Sequence, residues 1–218
     1  MEDDARTRAV YDHGAERYLQ GIGTTISPAV EHSSDLDVLA RFGDLVADDL
    51  GVVLDAGCGP GRAAAFLRAR GLATVGIDLS ERLLRAGRRT HPSIPSCLGS
   101  IRALPFPDRT FVGVVAWYSI IHTSAEALAA VYDELARVSR PGAPVLLAFH
   151  AGTGGRRERH DAQGSGLTLT TYLHDPDRVV ADLARAGFTA AVAIERPALH
   201  VHEHSPQGFV TASLRRGA

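Results

Sequence analysis

The sequence predicts a doubly wound α/β domain: a mostly parallel sheet of seven strands, helices on both faces, and an antiparallel C-terminal edge. Three observations carry the prediction. Short apolar runs alternate with longer helical patterns, which implies right-handed crossovers between parallel strands. The first of these runs ends in "DAGCGPG", residues 55–61, with three glycines in five positions. The last two, "FTAAVAIERP" and "GFVTASLRR", close the chain as strands that suit an antiparallel pair at one edge.

Two helical segments come first. The spacing predicts one helix over residues 4–19, with Tyr11 and Tyr18 seven apart and so on one face, and another over 35–50, with Leu36, Leu39, Phe42 and Leu45 set for a buried stripe. "GVVLDAG" is then a strand ending in the glycine turn, and residues 61–70 are rich in the helix formers Ala, Leu and Arg. "LATVGIDLS" repeats the plan, with Ser80 as N-cap of a helix over 81–89. "SCLGS" is a short third strand and "TFVGVVAWYS" a fourth, buried on both faces. A helix over 125–139 stops before "RPGAP", and "PVLLAFH" is the fifth strand. Residues 151–166, rich in Gly, Arg and Asp, are expected to form a mobile loop near the mouth of the site. A last helix over 175–186 stops at Gly187.

Composition bounds the function. With 218 residues, 45% of them hydrophobic, the chain can fill the core of a single domain. Its net charge of -2 gives no basic excess for nucleic acid. Cys58 and Cys97 stand far apart with no C-x-x-C spacing, which suggests neither a zinc site nor a disulfide framework. The acidic N-terminus lacks the apolar stretch of a leader, and the apolar run near 112–121 is too short to cross a bilayer. A cytoplasmic protein with no membrane partner is expected, of unknown oligomeric state.

In such a sheet, ligands bind at the carboxyl ends of the strands, near the switch in strand order. Gly57, Gly59 and Gly61 permit close approach of backbone to a ligand. A phosphate-binding P-loop is excluded, because no Gly-Lys-Ser/Thr follows. A nicotinamide fingerprint would want its third glycine where Arg62 stands, and the carboxylate of Asp55 would repel a pyrophosphate. A phosphate-free, positively charged ligand suits Asp55. Asp78 ends the second strand, the position from which an acidic residue bonds ribose hydroxyls. An adenosine ribose with a cationic, phosphate-free tail describes S-adenosylmethionine.

The motifs agree. "VVLDAGCGPGR" resembles motif I of the class I S-adenosylmethionine-dependent methyltransferases, which have a Rossmann-like fold. "VGIDLSERLLRAGRR" is similar to their second motif, and "GSIRALPFPDRTFVGVVAWYSIIH" to the stretch that runs from adenine to the substrate pocket. "YLHDPDRVVADLARAGF" resembles the small-molecule members of that family. The resemblance implies a cofactor-binding core over about 50–150 and a helical lid over about 1–49. It implies that Asp55, Gly57 and Gly59 line the methionine end of the cofactor, Asp78 holds the ribose, and Leu79, Ser100 and Ile101 meet the adenine. Trp117 would stand beside the sulfonium. Where many relatives carry Asp in a "GDA" triplet, this chain has "GSI", so a hydroxyl replaces the usual carboxylate.

The implied reaction is an in-line methyl transfer to a small organic acceptor, yielding S-adenosylhomocysteine. Alignment alone can supply roughly 7–11 kcal/mol of such a barrier, and no metal is required. If the acceptor is a hydroxyl or an ammonium, a base must take a proton, and His122 and His150 both fall on the carboxyl edge of the sheet. Tyr11, Tyr18, Tyr118 and His174 are candidates for the substrate pocket or lid; the two N-terminal tyrosines serve equally well as plain packing. "HVHEH" sets His200, His202 and His204 at alternate positions, but no further ligand accompanies them and no metal is expected. The fourth strand is followed by "AWYS" rather than the Asn/Asp-Pro-Pro-Tyr/Phe of DNA amino-methyltransferases. A nicotinamide-dependent oxidoreductase and a non-catalytic cofactor-binding protein on the same fold are the alternatives.

Overall fold

The structure is a computed structural model that describes residues 2–200 and 203–216. The N-terminal segment forms α1 (Glu2–His13), α2 (Ala15–Gly21) and α3 (Ser33–Leu45). β1 (Val52–Ala56), α4 (Arg62–Ala69), β2 (Ala73–Asp78), α5 (Glu81–Thr90) and β3 (Ser96–Leu98) make the first half of the sheet. β4 (Gly113–Trp117), α6 (Leu128–Val138) and β5 (Pro144–His150) follow. A hairpin of β6 (Arg156–Arg159) and β7 (Leu169–Tyr172) precedes α7 (Pro176–Arg185), β8 (Phe188–Arg196) and β9 (Gln207–Leu214).

The main sheet has seven strands in the order β3-β2-β1-β4-β5-β9-β8. β1 pairs in parallel with β2 and β4, β2 with β3, and β4 with β5; β9 runs antiparallel between β5 and β8. The order reverses between β1 and β4, so the switch point lies at the ends carrying Ala56 and Trp117. One face packs Leu54, Val114 and Leu147 against Tyr132 and Leu135 of α6 and Leu183 of α7. The other packs Val53, Val115 and Leu146 against Leu39 and Phe42 of α3 and Leu67 of α4. Burial on both faces explains why the central strands read as unbroken apolar runs.

Several boundaries differ from expectation, each for a local reason. The first helix breaks at Gly14, where a β-carbon would stand 2.3 Å from Gln163 Cβ, so the chain must pass too close for a side chain there. α3 stops at Leu45 instead of near 50, because Asp48 and Asp49 would put negative charge at the negative end of a longer helix. Residues 151–166 are not a featureless loop. Arg156 to Arg159 pair antiparallel with Tyr172 to Leu169, and all four arginine-strand residues are exposed, which is why no apolar pattern announced them. On the outer edge, the β8 register shifts between Thr189 and Val192, with Ala190 held at a φ of 53°. Val192 and Ile194 lie exposed on the same strand.

Candidate active site

The glycine turn is built by backbone conformation that only glycine adopts at ease. Gly57, Gly59 and Gly61 all have positive φ, and a β-carbon on Gly57 would stand 2.2 Å from Ser119 Cβ. The amides of Gly57 and Cys58 donate to the Ile77 carbonyl at 2.8 and 2.9 Å, tying the turn to β2. Asp78 completes the tie. Its Oδ2 accepts from Gly59 N and its Oδ1 from Ser80 N, each at 2.7 Å. Ser80 caps α5 as expected, accepting from Leu83 N at 3.2 Å.

Asp55, at the end of β1, is fully buried. One oxygen accepts from Ala64 N in the first turn of α4 at 2.9 Å, and the other, Oδ1, has no partner among the described residues. Burial pushes the carboxyl up to about 7, with the charge of Asp78 adding to the effect and the Ala64 amide and Arg62 opposing it. Burial also raises Asp78.

These residues line one cavity of about 270 Å³ at the switch point. Asp55, Gly57, Gly59, Asp78, Leu79, Ile101, Trp117, Tyr118, Tyr11, Tyr18, His122 and His150, all named from the sequence, contribute to its lining. Two residues named from the sequence do not. The Ser100 hydroxyl turns outward to donate to Asp4 Oδ2 at 2.6 Å, so a carboxylate does stand at the "GSI" triplet, brought there by α1. His174 is buried behind the site, its Nε2 3.2 Å from the Ile120 carbonyl and its ring against Tyr172 and Phe149. His202 lies outside the described residues.

The first helix covers this cavity. Tyr11 Oη is 2.9 Å from His122 Nε2, Asp12 accepts from Ser80 Oγ at 2.7 Å, and Asp4 pairs with Arg102 at 3.3 Å. His122 Nδ1 lies 2.7 Å from the Thr170 carbonyl, which requires its proton there and leaves Nε2 to accept from Tyr11. Burial pulls His122 down to about 4. His150 differs: its Nδ1 faces Gln207 Oε1 at 3.1 Å, and Gln207 Nε2 donates to Ser205 O at 2.7 Å, which fixes that amide. Nε2 of His150 is therefore its basic nitrogen, and burial lowers this histidine too.

The same cavity is bordered by ion pairs that the sequence did not reveal. Arg62, buried, donates to Glu31 at 2.5 Å and to the Thr25 carbonyl at 3.2 Å. Arg196 clamps Asp35 with two bonds of 2.6 and 2.5 Å and Glu203 with two of 2.8 and 2.6 Å. Burial pulls the Glu203 carboxyl up, but Arg196 and the amides of Leu199 and His200 outweigh it and hold the group at about 2. One signal was available: Asp35 sits four and seven residues before Leu39 and Phe42, on the buried stripe of α3. Trp117, Tyr118 and His150 form the adjoining wall. Ring centroids are 5.6 Å apart for the first pair and 5.5 Å for the second, and Tyr118 has a φ of 57°, a strained conformation for an aromatic residue. The Trp117 Nε1 and Ser119 Oγ atoms are buried with no partner among the described residues.

A family model described as "Methyltransferase domain" matches residues 53–142. The chain is 36% identical over 96 residues to a malonyl-acyl-carrier-protein O-methyltransferase of Erwinia billingiae, a match covering 44% of this chain and 38% of that one. Its matches span between 36% and 54% of the length of such curated relatives. In fold it is similar to magnesium protoporphyrin IX methyltransferase of Synechocystis, with a TM-score of 0.70 at 18% identity, covering 98% of each chain. It is also similar to the cyclase SpnF, with a TM-score of 0.74 at 16% identity over 97% of this chain and 96% of that one.

Proposed function

From the membership of this chain in the class I S-adenosylmethionine-dependent methyltransferase family, we propose that it moves a methyl group from that cofactor to a small organic acceptor by in-line displacement. The observation that carries the reading is the buried, unpartnered oxygen of Asp55 on a cavity at the switch point. A buried carboxylate lacking a partner asks for a cationic one. The rest of the donor set fits the same cofactor: a glycine cradle that a side chain would fill, a second carboxylate on β2, and the apolar walls of Leu79 and Ile101.

When bound, the cofactor supplies an electrophilic methyl group on a charged sulfur. Asp55, Gly57 and Gly59 would hold its methionine end, Asp78 its ribose hydroxyls, and Leu79 and Ile101 its adenine. Tyr11 of α1 and Tyr18 of α2 exclude water from this half of the cavity. Trp117 orients the acceptor through its unpartnered N–H. His150 is the better base of the two histidines, because its Nε2 carries a lone pair that no described side chain occupies, whereas Tyr11 occupies that of His122. Nothing here favours nicotinamide chemistry, and Asp55 would repel its pyrophosphate. Among the described residues no helix is long and apolar enough to cross a membrane.

Calorimetry with S-adenosylhomocysteine, set beside NAD, tests the reading. Binding of the first is expected. Binding of NAD in its place would overturn it.

A further inference from the structure

Three carboxylates, Glu31, Asp35 and Glu203, line the cavity with the guanidinium of Arg62, and a second guanidinium, Arg196, pairs with two of them. Arg196 does not itself line the cavity; its two carboxylate partners do. A guanidinium has five N–H donors. In Arg196 all are engaged: Nε and one Nη2 bond reach Asp35, a second Nη2 bond and one Nη1 bond reach Glu203, and the remaining Nη1 bond reaches the Pro197 carbonyl. The cluster therefore presents a net negative charge and no free donor. Arg62 is shared among Glu31, the Thr25 carbonyl and the Tyr18 hydroxyl, and Asp55 lines the cavity beside it.

A second observation points to a ligand at the same wall. The Trp117 indole is 8% exposed, lines the cavity, and has a buried Nε1–H with no partner among the described residues. It meets Tyr118 edge to face, and the Tyr118 hydroxyl feels the charges of Asp35, Arg196 and Glu203, so aromatic wall and ion cluster belong to one subsite. The unpartnered donor asks for a lone pair, and the surrounding charge rejects a full negative one.

We infer that the Asp35–Arg196–Glu203 cluster selects an acceptor bearing no carboxylate or phosphate: a neutral or cationic ring compound that offers an oxygen or nitrogen lone pair to Trp117. This rests on the methyl-transfer reading. It sets the chain apart from relatives named for a malonyl group on a carrier protein. An anionic acceptor would meet two carboxylates with their countercharge already spent, whereas a phenol, an amide or an amine would meet aromatic faces and the unpartnered Trp117 N–H and Ser119 hydroxyl.

The experiment incubates the intact protein with S-adenosylmethionine labelled on the methyl group and a metabolite extract, then passes the labelled product over an anion exchanger at pH 7. A product that flows through and keeps its label after mild alkaline hydrolysis supports the assignment; one that is retained, or whose label leaves as methanol because the methyl had esterified a carboxylate, overturns it. A protein that binds S-adenosylhomocysteine yet labels nothing has no acceptor site and also overturns it. Failure to bind S-adenosylhomocysteine would strike the methyl-transfer reading instead, so the two failures are separable. As a second arm, matched hydroxybenzoate and hydroxybenzamide are titrated into the protein loaded with S-adenosylhomocysteine. The benzamide is expected to bind at least tenfold more tightly, and Glu203→Gln should narrow that ratio. An unchanged ratio in a variant that still binds S-adenosylhomocysteine would remove the cluster from acceptor selection.

Discussion

Asp55 carries the sharpest consequence at the scale of single residues. Its carboxyl is raised from 3.8 to about 7, so between those values the unfolded chain is ionised there while the folded apoprotein holds the proton. Its contribution to stability is accordingly full below about 3.8 and is lost as pH rises through about 7. A cationic ligand favours the ionised form. Affinity for S-adenosylmethionine should therefore climb as pH rises, by up to about tenfold per unit below 7, with proton release detectable by calorimetry in buffers of different ionisation heat. Asp55→Asn should flatten that profile and weaken the sulfonium donor more than the neutral-sulfur product; equal losses for both would sink the electrostatic role. Asp78 works differently, since it also accepts from Gly59 and Ser80 and so shapes the turn. Asp78→Ala should cost about 1.5–3 kcal/mol or more of S-adenosylhomocysteine binding, read by calorimetry. Both aspartates were legible because the glycine turn and the strand ends are local in sequence. Glu31, Asp35 and Glu203 were not, because Asp35 meets Arg196 across 161 positions and no local pattern encodes such a meeting.

Among the elements, α1 is the one whose role chemistry can switch. It is held over the cavity by Asp4, Tyr11 and Asp12, and Tyr11 depends on a neutral His122. Burial depresses that histidine from 6.5 to about 4, so its contribution is present above about 6.5 and is lost as pH falls through about 4. Hydrogen exchange of α1 amides should accelerate over that range in the wild type, and Tyr11→Phe should raise exchange already at neutral pH. An α1 equally protected at pH 4 and 7 would separate the helix from His122. Deleting the residues before Gly21 should leave the domain folded while loosening S-adenosylhomocysteine at least tenfold; full affinity would reduce the helix to packing. The sequence revealed that a helix with two tyrosines on one face lay here, but not its break at Gly14, which arises from contact with Gln163. The β6–β7 hairpin escaped notice for a related reason: an exposed strand has no apolar alternation to display.

The whole molecule is a scaffold that brings β1 and β4 side by side, although 56 residues, carrying α4, β2, α5 and β3, lie between Ala56 and the start of β4. Such a site is stabilised by what fills it. S-adenosylhomocysteine at about a hundred times its dissociation constant should add about 2.7 kcal/mol, which in a chain of this size is roughly 5–10 °C in melting temperature. No shift would mean no site. The alternation of strands and helices made this architecture readable from the sequence, since each crossover has one favoured hand. The β8 bulge was not readable, because its two-against-one pairing depends on β9. That bulge has a consequence for the protein in concentrated solution. An outer strand with Val192 and Ile194 exposed offers open backbone groups to any similar edge, and stacking of such edges is how native chains precipitate. By twisting the strand at Ala190, the bulge interrupts the flat template that this edge would otherwise offer to neighbouring molecules.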